Sequence, residues 1–195
     1  MLNDLVQESP LVGIEARIAA ASGGSTKRFR FTERPFMTLL TLRGTGTAFD
    51  VAVQRVLGFA LPQQSGGRVT AGERAVWWMG PDEWLIQSTQ DMAAELEHAL
   101  RETLDGQHCA VVDVSSGYTV IDISGSHVRE VLASGCPLDL HRRVFADGQC
   151  AGSHFFKAGI TLCRDGDDRF QIIVRRSFAE YFCLMLLDAA QPYLA

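Results

Sequence analysis

Apolar residues along the chain fall into short runs and helical stripes separated by glycine and polar turns. Apolar runs bounded by turn residues predict strands at Met37–Leu42, Ala75–Met79, Trp84–Gln87, Cys109–Val114, Tyr118–Ile123, Gly159–Cys163 and Phe170–Val174. Apolar positions three and four residues apart predict helices at Ala48–Leu57, Gln90–Leu104, His127–Ala133 and from Ser177 to about Gln191. The expected N-caps are Thr47, Ser88, Ser126 and Ser177, and Leu61–Gly72 is predicted to be a loop.

The order of these elements repeats once. Lys27–Gly44 aligns without gaps with His108–Gly125, and each copy is predicted as β-β-α-β-β-α. Two copies are too few for a solenoid. We therefore predict an α+β fold in which two pseudo-symmetric halves, residues 27–107 and 108–195, form one compact domain of antiparallel sheets carrying helices.

Residues 1–26 precede this domain as an N-terminal arm and linker. Ala20–Lys27 is rich in glycine and serine, which is typical of a linker. The arm is either a frayed tail or a segment laid on a partner, because Leu11 and Ile14 would otherwise be exposed. Near the other end, Phe178–Leu187 is apolar nearly all round, and we expect burial within the chain in preference to burial against another subunit.

The composition excludes several classes of protein. With 47 % hydrophobic and 21 % charged residues the chain is an ordinary globular protein, and its net charge of −5 argues against a nucleic-acid partner. No apolar run reaches the roughly 18 residues of a membrane span. The first residues lack a secretion-signal layout, so we expect a cytoplasmic protein. Five cysteines without a C-x-x-C pair indicate reduced thiols.

No sequence pattern of a catalytic or cofactor site is complete. Gly44-Thr45-Gly46 lacks the third glycine and the acidic residue of a dinucleotide-binding loop, so we interpret it as a tight turn. The residues with metal-ligand side chains have a spacing that matches no common zinc pattern; they are Cys136, His141, Cys150 and His154. We predict no catalytic, cofactor-binding or metal-binding residue on this chain.

Paired arginines and a tryptophan cluster are the candidates for a partner surface. Two arginine pairs, Arg142-Arg143 and Arg175-Arg176, are either solvated charges or contacts to an acidic subunit or anionic ligand. Trp77 and Trp78 should point to opposite faces of a strand, which makes an outward tryptophan a candidate interface anchor. The candidate partner-interface residues are Trp78, Trp84, Arg142, Arg143, Arg175, Arg176 and Tyr181.

Three motifs carry a family resemblance. Asp113–Leu140, with the sequence DVSSGYTVIDISGSHVREVLASGCPLDL, resembles the gamma subunits of bacterial heterotetrameric sarcosine oxidases. The segments GPDEWLI at Gly80–Ile86 and VRRSFAEYF at Val174–Phe182 carry the same resemblance. These subunits are in turn similar to the folate-binding region of glycine-cleavage aminomethyltransferases, whose D-(V/L)-S and S-G elements look like Asp113–Ser115 and Ser124–Gly125.

The resemblance implies a complex that demethylates sarcosine oxidatively to glycine and hydrogen peroxide, with methylene-tetrahydrofolate as a further product when tetrahydrofolate is supplied. It implies alpha, beta and delta subunits as partners, and it places FAD, FMN, NAD, zinc and tetrahydrofolate on those subunits. The gamma chain would have a structural and assembly role without an active site, and a fold like the aminomethyltransferase folate-binding domain.

Two other functions stay open on the sequence. A free-standing folate-binding, aminomethyltransferase-like protein would need a deep pocket between the repeats, lined by an acid and aromatic residues. A homo-oligomeric binding module unrelated to amine oxidation would need neither the pocket nor the partners.

Overall fold

Ten strands and five α-helices occupy the part of the chain that the computed structural model describes, which is residues 7–22, 28–89 and 92–194, with the backbone alone at 21 and 22. The helices are α1 (Glu15–Ser22), α2 (Thr47–Leu57), α3 (Ala93–Thr103), α4 (Val128–Ala133) and α5 (Arg176–Ala190). The strands are β1 (Arg30–Arg34), β2 (Thr38–Arg43), β3 (Arg68–Ala71), β4 (Arg74–Gly80), β5 (Glu83–Ser88), β6 (Ala110–Asp113), β7 (Tyr118–Ser124), β8 (Cys150–Phe155), β9 (Ala158–Arg164) and β10 (Arg169–Arg175).

The strands form two five-stranded antiparallel sheets. Sheet A has the strand order β1-β7-β10-β9-β8, and sheet B has the order β3-β4-β5-β2-β6. β1 belongs to the first half of the chain but pairs with β7 of the second half, and β6 of the second half pairs with β2 of the first. The two halves therefore exchange their first strands, and each sheet contains residues from both.

Three apolar clusters arrange the elements in four layers. One cluster lies between sheet B and helices α2 and α3, and a second joins the facing sides of the two sheets. The third and largest packs sheet A against α4, α5 and the N-terminal segment. The predicted α+β fold of pseudo-symmetric halves with antiparallel sheets is confirmed.

Each half contains one strand more than predicted, in the order β-β-α-β-β-β-α. The extra strands are β3, inside the predicted loop Leu61–Gly72, and β8. The gapless alignment is also wrong by one residue. Phe31 pairs with Ile123, whereas its counterpart Val111 pairs with Leu42, because the second half has one more residue between its first two strands.

The predicted helix N-caps are wrong at every helix. The residues at the N-cap positions are Gly46, Met92, His127 and Arg175, and none caps its helix with a side-chain hydrogen bond. Thr47 and Ser177 instead lie inside the first turn. At Ser177 the reason is that β10 ends at Arg175 and α5 begins at the next residue. The predicted stop at Gly58 is confirmed by its left-handed φ of 86° and its N–H donating to the Gln54 carbonyl.

The N-terminal segment is neither a frayed tail nor free to lie on a partner over its described residues. Leu11 and Ile14 are buried in the sheet A cluster, and Ile18 packs against that cluster. The Ser9 hydroxyl donates to Glu33 of β1. The predicted boundary between arm and domain, at residues 26 and 27, lies outside the described residues.

The apolar helix α5 is buried within the chain, as expected. Ala179, Phe182, Cys183, Leu186 and Leu187 are all in the sheet A cluster. Phe178, in the first turn, is the exception, with 41 % of its surface exposed. The all-round apolar character of α5 follows from its position between sheet A and the α1–α4 side of the molecule.

Candidate functional site

A cleft of about 440 Å³ opens where the exchanged strands cross between the two halves. Its walls come from the β1–β2 connection, the β6–β7 connection, the N-terminal segment and the starts of α3 and α5. The lining residues that matter for its chemistry are Glu8, Phe36, Met37, Asp113, Ser116, Tyr118 and Arg176. The cleft thus lies between the repeats and has both an acid and aromatic rings in its walls.

The acid of the cleft, Asp113, is held in a local turn. One of its carboxylate oxygens accepts the backbone N–H of Ser115 at 2.9 Å and the Ser115 hydroxyl at 2.5 Å. The same hydroxyl oxygen accepts the N–H of Leu39 on β2 at 2.9 Å. Asp113 and Ser115 therefore fasten the β6–β7 connection to β2, which is a structural use of the D-V-S motif.

The cationic side of the cleft is formed at the start of α5. Arg176 donates to the Glu8 carbonyl at 2.6 Å, and the Arg175 guanidinium lies over the Tyr118 ring at 5.6 Å. Among the described residues, no carboxylate lies within 4 Å of either guanidinium. Arg176 thus lines the cleft and Arg175 lies beside it over Tyr118, and neither guanidinium pairs with an acid of the described chain.

The other predicted arginine pair is divided by its contacts. Arg142 pairs with Asp168 at 2.8 Å and with Asp167 at 3.9 Å, and Asp168 also pairs with Arg129. Arg142 thus fastens the loop after α4 to the β9–β10 hairpin of its own chain. Arg143 is exposed, and no described carboxylate pairs with it.

The predicted tryptophan anchors differ in exposure. Trp84 is only 2 % exposed, its ring packs on Phe49, and its indole N–H donates to the Pro62 carbonyl. This burial contradicts Trp84 as an interface anchor, because the side chain has almost no surface to offer. Trp77 and Trp78 do lie on opposite faces of β4, with Trp77 buried between the sheets.

Trp78 and Tyr181 keep part of their surface at the outside. Trp78 is half-buried and borders a second cleft, of about 310 Å³, together with Met79. Tyr181 is half-buried against the sheet A cluster. Both are therefore available for contact, although Trp78 lies on β4 of sheet B and Tyr181 on α5, which covers sheet A.

The four residues with metal-ligand side chains do not converge. Cys136 contacts the Ser153 hydroxyl, Cys150 lies opposite Cys163 in the β8–β9 pair, and His154 is exposed on β8. Within the described part of the chain no three histidine, cysteine, aspartate or glutamate residues are grouped as metal ligands.

Two of the buried cysteines, Cys150 and Cys183, are protonated thiols. Burial and the neighbouring Cys163 raise the pKa of Cys150, and burial raises the pKa of Cys183 to about 12. A nucleophilic cysteine needs the thiolate. These two residues therefore pack as small apolar side chains.

Sequence reasoning missed the cleft itself. Phe36 and Met37, Glu8, and Ala93 come from three separate segments, and strand exchange brings them together with the β6–β7 connection. The unusual backbone of Phe36, with a φ of 57°, marks this place in the structure. No residue type in the sequence indicates it. Among the described residues no helix is long and apolar enough to cross a membrane.

Known proteins share this fold. A chain of the solved heterotetrameric sarcosine oxidase of Corynebacterium sp. U-96 matches with a TM-score of 0.90, 28 % identity and 98 % of each chain covered. The aminomethyltransferase T of the Bartonella henselae glycine cleavage system matches with a TM-score of 0.62 and 15 % identity, over 87 % of this chain and 48 % of that one. The second similarity shows a shared fold.

Sequence relatives extend over nearly the whole chain. The sarcosine oxidase subunit gamma of Corynebacterium sp. (strain P-1) is 33 % identical over 194 residues, which cover 96 % of this chain and 92 % of the relative. The corresponding Arthrobacter sp. subunit is 33 % identical, with 90 % and 86 % covered. Residues 43–192 match the family described as "Sarcosine oxidase, gamma subunit family". On its sequence, on its fold and on the motifs that span both halves, the chain belongs to the sarcosine oxidase gamma subunit family.

Proposed function

We propose that this chain is a structural and assembly subunit of a cytoplasmic sarcosine oxidase complex, in which it contacts alpha, beta and delta subunits. The complex converts sarcosine to glycine and hydrogen peroxide and, with tetrahydrofolate, forms methylene-tetrahydrofolate. FAD, FMN, NAD, zinc and tetrahydrofolate are bound by the other subunits. The observation that carries the proposal is the full-length structural match to a chain of a heterotetrameric sarcosine oxidase.

The site geometry supports a role in contact rather than in chemistry. Asp113 is used in a turn, the thiols of Cys150 and Cys183 are protonated, and Arg175 and Arg176 have no acidic partner in the described chain. We propose Arg143, Arg175, Arg176, Tyr181 and Trp78 as the partner surface. Arg142 is the weakest candidate for this surface, because its guanidinium already pairs with Asp167 and Asp168 of its own chain.

The direct test is co-purification. The chain is expressed together with the flavoprotein subunits of its own organism, one of which carries the affinity tag, and the purified complex is tested for sarcosine-dependent peroxide formation. We expect this chain in stoichiometric amount. Its absence from an active complex would disprove the assembly role.

A second candidate function is supported by the cleft itself. A pocket between the repeats that is lined by an acid, Asp113, and by the rings of Phe36 and Tyr118 is what a folate-binding protein of the aminomethyltransferase type needs. Titration calorimetry of the purified chain with tetrahydrofolate separates the two functions. Micromolar affinity would favour folate binding, and no heat above dilution would favour the assembly role.

A further inference from the structure

The cleft joins a cationic edge to an apolar wall, and we propose that it receives a segment of a partner subunit in which a carboxylate lies beside an apolar side chain. This inference rests on the proposed assembly function and adds the chemistry of the docked segment. The carboxylate pairs with Arg175 and Arg176, and the apolar side chain packs between Phe36, Met37 and Tyr118.

Arg175 and Arg176 differ from three arginines of the same half that pair with an acid of their own chain. Arg129, Arg142 and Arg164 each lie within 4 Å of an aspartate of their own chain. Arg175 and Arg176 have no such partner among the described residues, and the first turn of α5 contains no acid. The two guanidinium groups are therefore available to pair with a carboxylate from outside the chain.

The two arginines are also held in position before any partner binds. The Glu8 carbonyl accepts from Arg176, and the Tyr118 ring lies under Arg175. A guanidinium that is already ordered loses less side-chain entropy when it forms an ion pair. The two contacts therefore favour binding at this place over a pairing by a mobile surface arginine.

Glu8 and Asp113 also line the cleft, but within the described residues no carboxylate lies within 4 Å of the Arg175 or Arg176 guanidinium. One oxygen of Asp113 accepts from both the N–H and the hydroxyl of Ser115, and it is the backbone carbonyl of Glu8 that accepts from Arg176. Neither acid therefore occupies the place of a carboxylate from outside.

The apolar wall indicates a peptide rather than a small anion. Phe36 has a φ of 57°, a costly conformation for a bulky residue, and it presents its ring to the cleft next to the half-buried Met37. One helical turn after Arg175, the ring of Phe178 is 41 % exposed. The start of α5 therefore carries a further exposed apolar side chain that a docked peptide can contact.

The test uses the co-expressed complex with the tag on a partner subunit. We expect the double variant R175E/R176E to lower the amount of this chain retained in the complex by about tenfold. The charge-conserving variant R175K/R176K should be retained at low salt but should be lost from the complex at a lower salt concentration than the wild type. R55E, on exposed α2 over the other sheet, is the matched control and should be retained like the wild type. S116W fills the cleft without changing charge, and it should also reduce retention.

Wild-type retention of both R175E/R176E and S116W would overturn the inference, while the wild-type chain in the complex would still support the assembly function. If the wild-type chain itself is not retained, the assembly function fails first. A photoreactive benzoylphenylalanine in place of Phe36, which lines the cleft and already carries a ring, identifies the occupant in the purified complex by mass spectrometry. An adduct to a partner peptide with an acid next to an apolar residue supports the proposal, and adducts confined to this chain or to peptides without an acid contradict it.

Discussion

Gly125 and Gly44 occupy equivalent positions after β7 and β2, but they are required for different reasons. Gly125 has a φ of 129°, and a Cβ added there would lie 2.3 Å from the Arg28 carbonyl oxygen. At Gly44 the added Cβ would meet the ring of Phe49 at the same distance. A side chain ring can turn away, whereas the backbone at Arg28 is tied to β1. Gly125 is therefore the less replaceable of the pair.

We predict that Gly125→Ala destabilises the chain by more than about 2 kcal/mol, since it adds left-handed strain to a backbone clash. Gly159→Ala in β9 is the control, because a Cβ there meets nothing within 4 Å and its φ is ordinary. Its effect should stay within about 0.5 kcal/mol. Urea unfolding followed by circular dichroism measures both, and equal effects would contradict the argument.

Cys183 provides a second residue-scale prediction, from its pKa. Burial raises this pKa from 9.0 to about 12, so that between these values the unfolded chain releases a proton that the folded chain keeps. Stability therefore falls as pH rises from 9.0 towards 12, by up to about 1.4 kcal/mol per pH unit from this group. Cys183→Ala should lose stability less steeply over the same range, and parallel curves for the two proteins would refute the assignment.

At the scale of elements, the N-terminal segment changes the description of the domain most. Leu11 is fully buried and Val12 is 50 % exposed, so that neighbouring residues of one 3-10 turn have opposite environments. The segment covers part of the sheet A cluster that α5 alone would leave open. It is therefore a structural element of the domain over its described residues.

We predict that Leu11→Ala costs about 2–5 kcal/mol, as for a buried leucine in a core. Val12→Ala, one residue later, should cost less than about 0.5 kcal/mol. Thermal unfolding of the two variants measures the difference. If both behave like the wild type, the segment does not contribute to the core in solution.

Local hydrophobic patterns predicted most of the strands and helices. The errors are two missed strands and displaced helix starts, where the local sequence is not typical of one structure. Met37–Leu42 and Tyr118–Ile123 are apolar enough to be unmistakable strands, and the helix α2 ends at Gly58 as its sequence indicates. β3 and β8 were missed because RVTA is half-exposed and CAGSHF contains glycine and serine, so that neither is typical of a strand. The starts of α2, α4 and α5 were misplaced by one residue and that of α3 by three, and only at α5 does the helix follow its strand without a linker.

At the scale of the whole molecule, the pairing of β1 with β7 and of β6 with β2 was beyond any local pattern. Partners in these pairs lie in different halves of the chain, and hydrophobic periodicity contains no information on which distant strand is the neighbour. The cleft is a product of the same pairing, because its walls meet only after the strands have crossed. Arg175 and Arg176, which are adjacent in sequence, could therefore be predicted as candidate interface residues, whereas the lining of the cleft could not.

Strand exchange predicts that the halves do not fold alone. Residues 1–107 contain β1 without its partner β7, and residues 108–195 contain β6 without β2, so each half would expose unpaired sheet edges. We expect each fragment to be unfolded or aggregated on its own, and co-expression to yield a soluble complex with the circular dichroism of the intact chain. Cooperative unfolding of either fragment alone would contradict this expectation.

The strand exchange also delays sheet formation during synthesis of the chain. As the chain leaves the ribosome, β1 appears early, yet the strand that pairs with it, β7, follows only after the whole first half has been made. Sheet B is similarly incomplete until β6 emerges. Chains grow at roughly 5–20 residues per second, so that apolar strands wait for seconds beside other nascent chains. The first half of this chain therefore exposes unpaired strand edges until the second half has been made, and aggregation competes with folding during that interval.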